Sequence, residues 1–207
     1  MNERILVRID FQNDFIHPEG SLSINNPNLI DKNQQFNNSL QKGMFAKIID
    51  VADTHFAETY QNTKEAESFG LHTVYGTWGW NKAADFKDNI PVTNIFKSST
   101  NIWNEEKYYP ILQQNWQNKD VYLCGLLSDV CVVQAFDGFL KRGAKVTLLD
   151  DLCQGAQKQL TEIVNDEKYA PYKESGKLCL MSTSQFFRKI LNEKKQQFNL
   201  LRQAREM

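Results

Sequence analysis

The sequence is poor in the features that mark several large protein classes. Its longest apolar runs are about six residues, far short of the roughly 20 that span a bilayer, so no membrane-spanning helix is expected. The N-terminal residues lack the apolar stretch of a signal peptide, and a cytoplasmic location is expected. The net charge is only -1, which gives no general attraction for nucleic acid or anionic lipid. There are four cysteines, and Cys124 and Cys179 sit inside apolar strand-like runs, so no disulfide framework is expected. No Pro/Gly-rich linker, internal repeat or low-complexity tract divides the chain. The first strand-like run is not followed by Gly-x-Gly-x-x-Gly. Asp10 and Gln12 stand where those glycines would be needed, which argues against a dinucleotide-binding oxidoreductase.

What is present is an alternating pattern. The 207 residues, 41% hydrophobic and 24% charged, suit one domain, 1–207, with a sizeable core. Strand-like apolar runs fall at 5–9, 46–52, 71–75, 92–96, 121–126, 146–149 and 178–181. Segments of helical spacing lie at about 104–117, 131–142, 155–168 and 184–206, and a polar loop within 25–41 leads into a surface helix. Short buried strands alternating with helices predict a three-layer α/β/α fold, doubly wound on a mostly parallel sheet. Such sheets bind ligands at the carboxyl ends of their strands. In the last helix, Phe186, Phe187, Ile190 and Leu191 form an apolar patch. It is expected to pack on the domain, with a subunit contact, and hence a homo-oligomer, as the alternative.

Three segments place reactive side chains at predicted strand ends. They are Asp10 in Ile-Asp-Phe-Gln-Asn-Asp-Phe, Lys97 in Ile-Phe-Lys-Ser-Ser, and Cys131 in Gly-Leu-Leu-Ser-Asp-Val-Cys-Val. A thiol that attacks a carbonyl needs a base for its proton, a cation to hold the thiolate, and donors for the oxyanion. Cys131 follows a strand and opens a predicted helix, whose N-terminal N–H groups and partial positive charge favour the thiolate. The chain therefore reads as a cysteine-dependent hydrolase. Cys124, Cys153 and Cys179 are read as structural, and Asp14 and Asp129 as residues that orient backbone and loops.

Of only three histidines, two fall in a second pattern. Asp53 and His55 are two apart after an apolar run, and i, i+2 side chains of an extended segment point the same way. His72 follows 17 residues later, and Glu65 lies between. Two imidazoles and a carboxylate, with open positions for water or substrate, suit Zn²⁺, Fe²⁺ or Mn²⁺. Spacing alone is a weak signal for such a site. His17 is read as a loop residue on the surface.

Taken together, these segments resemble the isochorismatase-like cysteine hydrolases, and most closely the nicotinamidases (pyrazinamidases). Asp10 to Phe15, followed by Gly20-Ser21-Leu22, matches the family's first motif, and Gly125 to Val132 its cysteine motif. The resemblance runs from about residue 4 to 182. It implies that Asp10 is the general base and acid, Lys97 the cation, and Cys131 the nucleophile. It also implies an oxyanion hole from the N–H groups of Leu127 and Cys131, beside a non-proline cis peptide at Leu126–Leu127. Asp53, His55 and His72 would hold a divalent metal, zinc first and iron or manganese as alternatives, with Glu65 as a possible extra ligand. The implied substrate is a small carboxamide whose ring nitrogen meets the metal. Phe15 and Trp78, with Trp103 as a further candidate, are the aromatic residues expected in the pocket walls. The implied activity is hydrolysis of nicotinamide to nicotinate and ammonia in NAD salvage. Departures at Thr54, Phe56, Val130 and Ser98-Ser99 alter the pocket rim and remove no reacting group. The alternatives are a relative acting on another small carboxamide or carbamoyl compound, and a non-catalytic binding protein.

Overall fold

The computed structural model describes residues 2–87 and 89–205. Six strands form one sheet: β1 (Glu3–Ile9), β2 (Lys47–Asp53), β3 (Thr93–Lys97), β4 (Lys119–Leu126), β5 (Lys145–Gln154) and β6 (Leu178–Met181). Their order is β3-β2-β1-β4-β5-β6, and every neighbouring pair is parallel. The sheet is thus wholly parallel, where the sequence predicts mostly parallel. Burial on both faces explains the near-continuous apolar character of β1, β4 and the first half of β5.

Each face carries its own aromatic cluster. On one side Tyr122 of β4 packs with Phe45 and with Phe186 of the helix Thr183–Arg205, and Phe186 meets Phe36 of the helix Pro27–Ser39. On the other, Phe139 of the helix Val133–Lys141 packs edge-on against Trp103 and Trp116. Gly125 lets β4 lie tight against β1. Its φ is +120°, and a Cβ there would sit 2.0 Å from the Ile9 carbonyl oxygen.

Several expected elements take another form. The run 71–75 is not a strand. It contributes one bridge, His55 to Val74, because Thr73 adopts φ +42° and its N–H is drawn to Asp14 Oδ2 at 2.7 Å. The expected helix at 104–117 is the 3₁₀ helix Ile102–Tyr108, closed off ahead of Pro110. That at 155–168 shrinks to Leu160–Ile163 and the 3₁₀ helix Glu167–Tyr169, since the N–H groups of residues 156–158 go to Asp129. The terminal helix is Thr183–Arg205, and residue 206 of the predicted span lies outside the described residues. Of its expected apolar patch Phe186 and Ile190 are buried and Leu191 is exposed, as are Phe198, Leu200 and Leu201 farther along. Among the described residues no helix is long and apolar enough to cross a membrane.

The strand order reverses between β1 and β4, and a crevice opens at the carboxyl ends of strands at such a point. Asp10 follows β1, Asp53 and Lys97 end β2 and β3, and Leu127 follows β4.

Candidate active site

Lys97 is the hub of the site. Its Nζ forms an ion pair with Asp10 Oδ2 at 2.8 Å and donates to Asp53 Oδ1 at 2.9 Å and to Cys131 Sγ at 3.7 Å. Asp10, Asp53, Lys97 and Cys131 are all buried. Asp10 sits at φ +48°, a strained position for a non-glycine residue, and this turns its carboxylate at the end of β1. Neither Asp10 oxygen makes a complete hydrogen bond, although Lys97 and the Cys131 thiol stand beside it. Burial works to lower the Lys97 pKa, but Asp10 and Asp53 outweigh it and hold the ammonium well above its usual range. Burial raises the Asp10 pKa; Lys97 opposes this, and the Asp53 charge adds to it.

Cys131 corrects one expectation. It lies in a π-helical turn, Ser128–Val132, ahead of the helix Val133–Lys141 rather than at a plain α-helical start. Burial pushes its thiol well above the usual range, and Asp10 and Asp53 add to the rise against Lys97. The Asp10 carboxylate stands close to the thiol. The Leu126–Leu127 peptide is cis, as the resemblance implies.

Asp53 joins this cluster to a second one. Its Oδ2 lies 2.9 Å from His55 Nε2 and 3.0 Å from His72 Nε2, and accepts a hydrogen bond from Thr73 Oγ1 at 2.9 Å. Glu65 stands farther out, 4.0 Å from His55 Nε2 and 3.8 Å from His72 Nε2. One ligand atom from each of the four residues lies within 4.8 Å of every other. Burial tends to raise the Asp53 pKa, yet Lys97 and the two imidazoles hold it well below the carboxylate range. Burial raises the Glu65 pKa, and the Asp53 charge adds to this.

The donor set fits a divalent transition metal. His55 Nε2 and Glu65 Oε2 are buried and make no hydrogen bond. Two ligands bound at about 2.1 Å to one ion lie roughly 3.0–3.4 Å apart at tetrahedral or octahedral angles, close to the spacing of Asp53, His55 and His72. Two imidazoles with carboxylates suit zinc, iron or manganese.

Both clusters border one cavity of about 400 Å³, in the range that suits small ligands. Cys131 and Leu127 are on one side, His72 and Glu65 on another, and Phe15 and Phe69 supply aromatic walls. Trp78 is not among the lining residues. It is half exposed and its ring meets His17 edge-on, so the histidine read as a surface residue is the neighbour of a surface tryptophan. Trp103 is half-buried against the core, its Nε1 donating to Ala135 O, with Arg142 stacked on its ring.

Three residues hold the site in shape. Gln12 accepts from Asp53 N–H and donates to the carbonyls of Asp53 and Trp80, stitching β1 to β2. Asp14 accepts from Ser21 N–H and Thr73 N–H. Asp129 accepts from the N–H groups of Ala156, Gln157 and Lys158 at 3.0, 2.7 and 2.9 Å, and so fixes a loop whose residues Gln154, Gly155 and Ala156 line the cavity. Burial alone would raise the Asp129 pKa, but these N–H groups hold it below the usual range. Asp14 and Asp129 orient backbone, as the sequence predicts. Tyr60, Phe69, Thr100 and Gln154 are not singled out by sequence. They lie on irregular excursions or at strand ends, where no periodicity marks a lining residue. Leu22, also in the lining, was visible only as part of the Gly-Ser-Leu motif.

Known structures share this fold. The nicotinamidase/pyrazinamidase PncA from Bacillus subtilis is similar at 19% identity and a TM-score of 0.67, over 87% of this chain and 100% of that one. The pyrazinamidase of Pyrococcus horikoshii in complex with zinc is similar at 23% identity and a TM-score of 0.63, over 87% of this chain and 99% of that one. An N-carbamoylsarcosine amidase from Thermoplasma acidophilum is similar at 17% identity and a TM-score of 0.62, over 87% and 96%. At these identities the likeness is one of fold. No curated protein matches the sequence. Residues 4–166 match the Isochorismatase domain, and the chain belongs to that family of hydrolases.

Proposed function

We propose that this protein is a metal-dependent nicotinamidase, hydrolysing nicotinamide to nicotinate and ammonia and serving NAD salvage in the cytoplasm. The observation that carries the reading is Asp53. One carboxylate is shared between the Lys97–Asp10–Cys131 cluster and the His55–His72–Glu65 cluster, and both clusters border a single small cavity. An amide bound across them has its carbonyl near the thiol and its ring near the metal ligands.

Asp53, His55 and His72 would hold the ion, with Glu65 beside them. Bound there, it supplies a Lewis-acid anchor for a ring nitrogen. The remaining work falls to the protein's own groups. Cys131 Sγ attacks the carboxamide carbon as its proton passes to Asp10. The N–H groups of Leu127 and Cys131 receive the oxyanion. Asp10 returns the proton to the leaving nitrogen, the C–N bond breaks, and ammonia departs. Water then attacks the thioester, giving a proton to Asp10, and the C–S bond breaks to release the acid and restore the thiol. Lys97 remains charged and holds Asp10 in place.

The lining favours a neutral ring over a carbamoyl amino acid. None of the described lining residues is lysine or arginine, and Lys97 lies beneath them with three partners already. Apart from the metal site, a carbamoyl amino acid's carboxylate would find no lysine or arginine in the lining to pair with.

Ammonia release from nicotinamide by the purified protein, before and after chelation, tests the reading. Release that stops on chelation and returns with Zn²⁺, Fe²⁺ or Mn²⁺ is expected. No release from folded, metal-loaded protein would overturn the substrate and turn attention to other small carboxamide or carbamoyl compounds.

A further inference from the structure

Three of the four candidate metal ligands, His55, Glu65 and His72, come from a single excursion between β2 and β3. The first part of that excursion has little to hold it. From residue 56 to residue 71, Tyr60 is the only buried side chain. His55 is tied to Val74 and Thr73 to Asp14, so what the 56–71 segment adds to the register of the three ligands runs chiefly through the contacts Tyr60 makes.

Those contacts reach every part of it. The Tyr60 ring lies 4.4 Å from the His55 ring and 5.4 Å, edge-on, from the His72 ring, measured between centroids. Its hydroxyl donates to Phe69 O at 3.2 Å and stands 3.3 Å from His72 Nδ1. His72 Nδ1 is also 2.7 Å from Gly70 O. A carbonyl can only accept, so Nδ1 carries the proton and the Nε2 lone pair is turned towards Asp53 and Glu65. The Tyr60 oxygen, its own proton given to Phe69 O, can accept a share of the same N–H. The Tyr60 carbonyl accepts from Thr63 N–H and Thr63 Oγ1, and that Oγ1 receives Ala66 N–H. This sets the 3₁₀ turn Glu65–Glu67 that presents Glu65.

We propose that Tyr60 is the positioning residue of the metal site: its ring sets the planes of both imidazoles, and its hydroxyl holds the 69–72 turn in which Gly70 O sets the His72 tautomer. The inference rests on the reading of Asp53, His55 and His72 as metal ligands. Outer partners of this kind typically change metal affinity 10–100-fold when removed.

The test is metal binding, read independently of turnover. Cobalt(II) is titrated into metal-free protein in competition with a chromogenic chelator, and the visible spectrum of the bound cobalt is recorded. Tyr60→Phe, which keeps the ring, is expected to bind about tenfold more weakly, and Tyr60→Leu, which removes it, about 100-fold more weakly, both with an altered cobalt spectrum. Wild-type affinity and spectrum in both variants would overturn the role of Tyr60 while leaving the metal site standing. A loss confined to Tyr60→Leu would overturn the part assigned to the hydroxyl. Failure of the wild-type protein to bind cobalt at all would overturn the metal-site reading instead.

Discussion

Two clusters of buried charge lie next to each other on β1 and β2, and they are built in opposite ways. Arg8 and Asp50 form a bidentate pair with N–O distances of 2.9 and 2.8 Å. The guanidinium also donates to Ala84 O at 2.6 Å and lies over the Phe86 ring, and Lys82 reaches both Asp50 and Val51 O. Two residues on from Arg8, Asp10 has two oxygens without a complete hydrogen bond, and three residues on from Asp50, Asp53 crowds two imidazoles onto one oxygen. The first cluster is saturated and away from the cavity. The second is unsaturated and borders it. Buried charge is tolerable when fully partnered, so a group left short of partners marks where an external molecule completes the set.

The largest effect expected from breaking this contrast is at Cys131, the proposed nucleophile. Cys131→Ala should lower turnover by at least about 10⁴-fold, with the circular dichroism spectrum unchanged, because the thiol makes the bond on which both half-reactions depend. Retained activity would remove Cys131 from the chemistry. Next is Asp53→Ala, which strips both clusters of their shared carboxylate. Metal content measured by elemental analysis should fall below one equivalent, and activity should fall at least about 100-fold. Full metal content would mean that Asp53 is not a ligand.

How much of this was legible in the sequence follows from how local each signal is. Asp10, Lys97 and Cys131 each sit in a short motif at a strand end, and a parallel sheet brings those ends together whatever the loops do. Asp53 and His55 were legible for the same reason. Tyr60 was not, since the role proposed for it depends on how the 15 other positions of 56–71, exposed or half-buried, fold back on it. Trp78 and Trp103 show the converse problem. Aromatic character is visible in sequence, but which way a ring faces is decided by tertiary packing, and one packs beside His17 and the other beneath Arg142. The run 71–75 has strand-like composition, yet Asp14 captures Thr73 N–H across 59 positions, and a contact at that range leaves no local trace. The helix start that favours a thiolate is a local signal, whereas the burial of Cys131 beside two carboxylates, which opposes it, is non-local.

The saturated cluster supplies the complementary test. Asp50→Asn leaves Arg8 buried beside a neutral amide and should cost about 3–5 kcal/mol of stability, while the metal content of the folded protein stays at the wild-type level. Its pH dependence has a defined sign. Burial would raise the Asp50 pKa, but Arg8 and Lys82 outweigh it and hold the carboxyl below its usual range. A carboxylate depressed on folding stabilises the native state above its unfolded pKa, near 4, and that contribution fades as pH falls through the folded value. The gap in melting temperature between wild type and Asp50→Asn should therefore be widest at neutral pH and narrow below about pH 4. A gap that stays constant with pH would show that the lost stability is packing rather than charge.

The smallest effect is expected at Asp129, which belongs to neither cluster but ties the Cys131 turn to the 154–158 loop that lines the cavity. An amide in Asp129→Asn keeps the shape, but it replaces one acceptor oxygen with a donor, facing either the Ala156 N–H or those of Gln157 and Lys158. A hydrogen bond to a charged group is worth about 1.5–3 kcal/mol, so the 154–158 wall should loosen rather than collapse. The expected result is a rise in KM of about tenfold with kcat changed by less than about threefold, because the wall contacts substrate while Asp10, Lys97 and Cys131 keep their places. Gly155 sharpens the point: a Cβ there would lie 1.9 Å from Lys158 O and 2.9 Å from Asp129 Oδ1, so Gly155→Ala should reproduce the KM defect without touching any charge. If both substitutions instead lowered kcat with KM unchanged, the wall would be acting on the position of Cys131 rather than on the substrate.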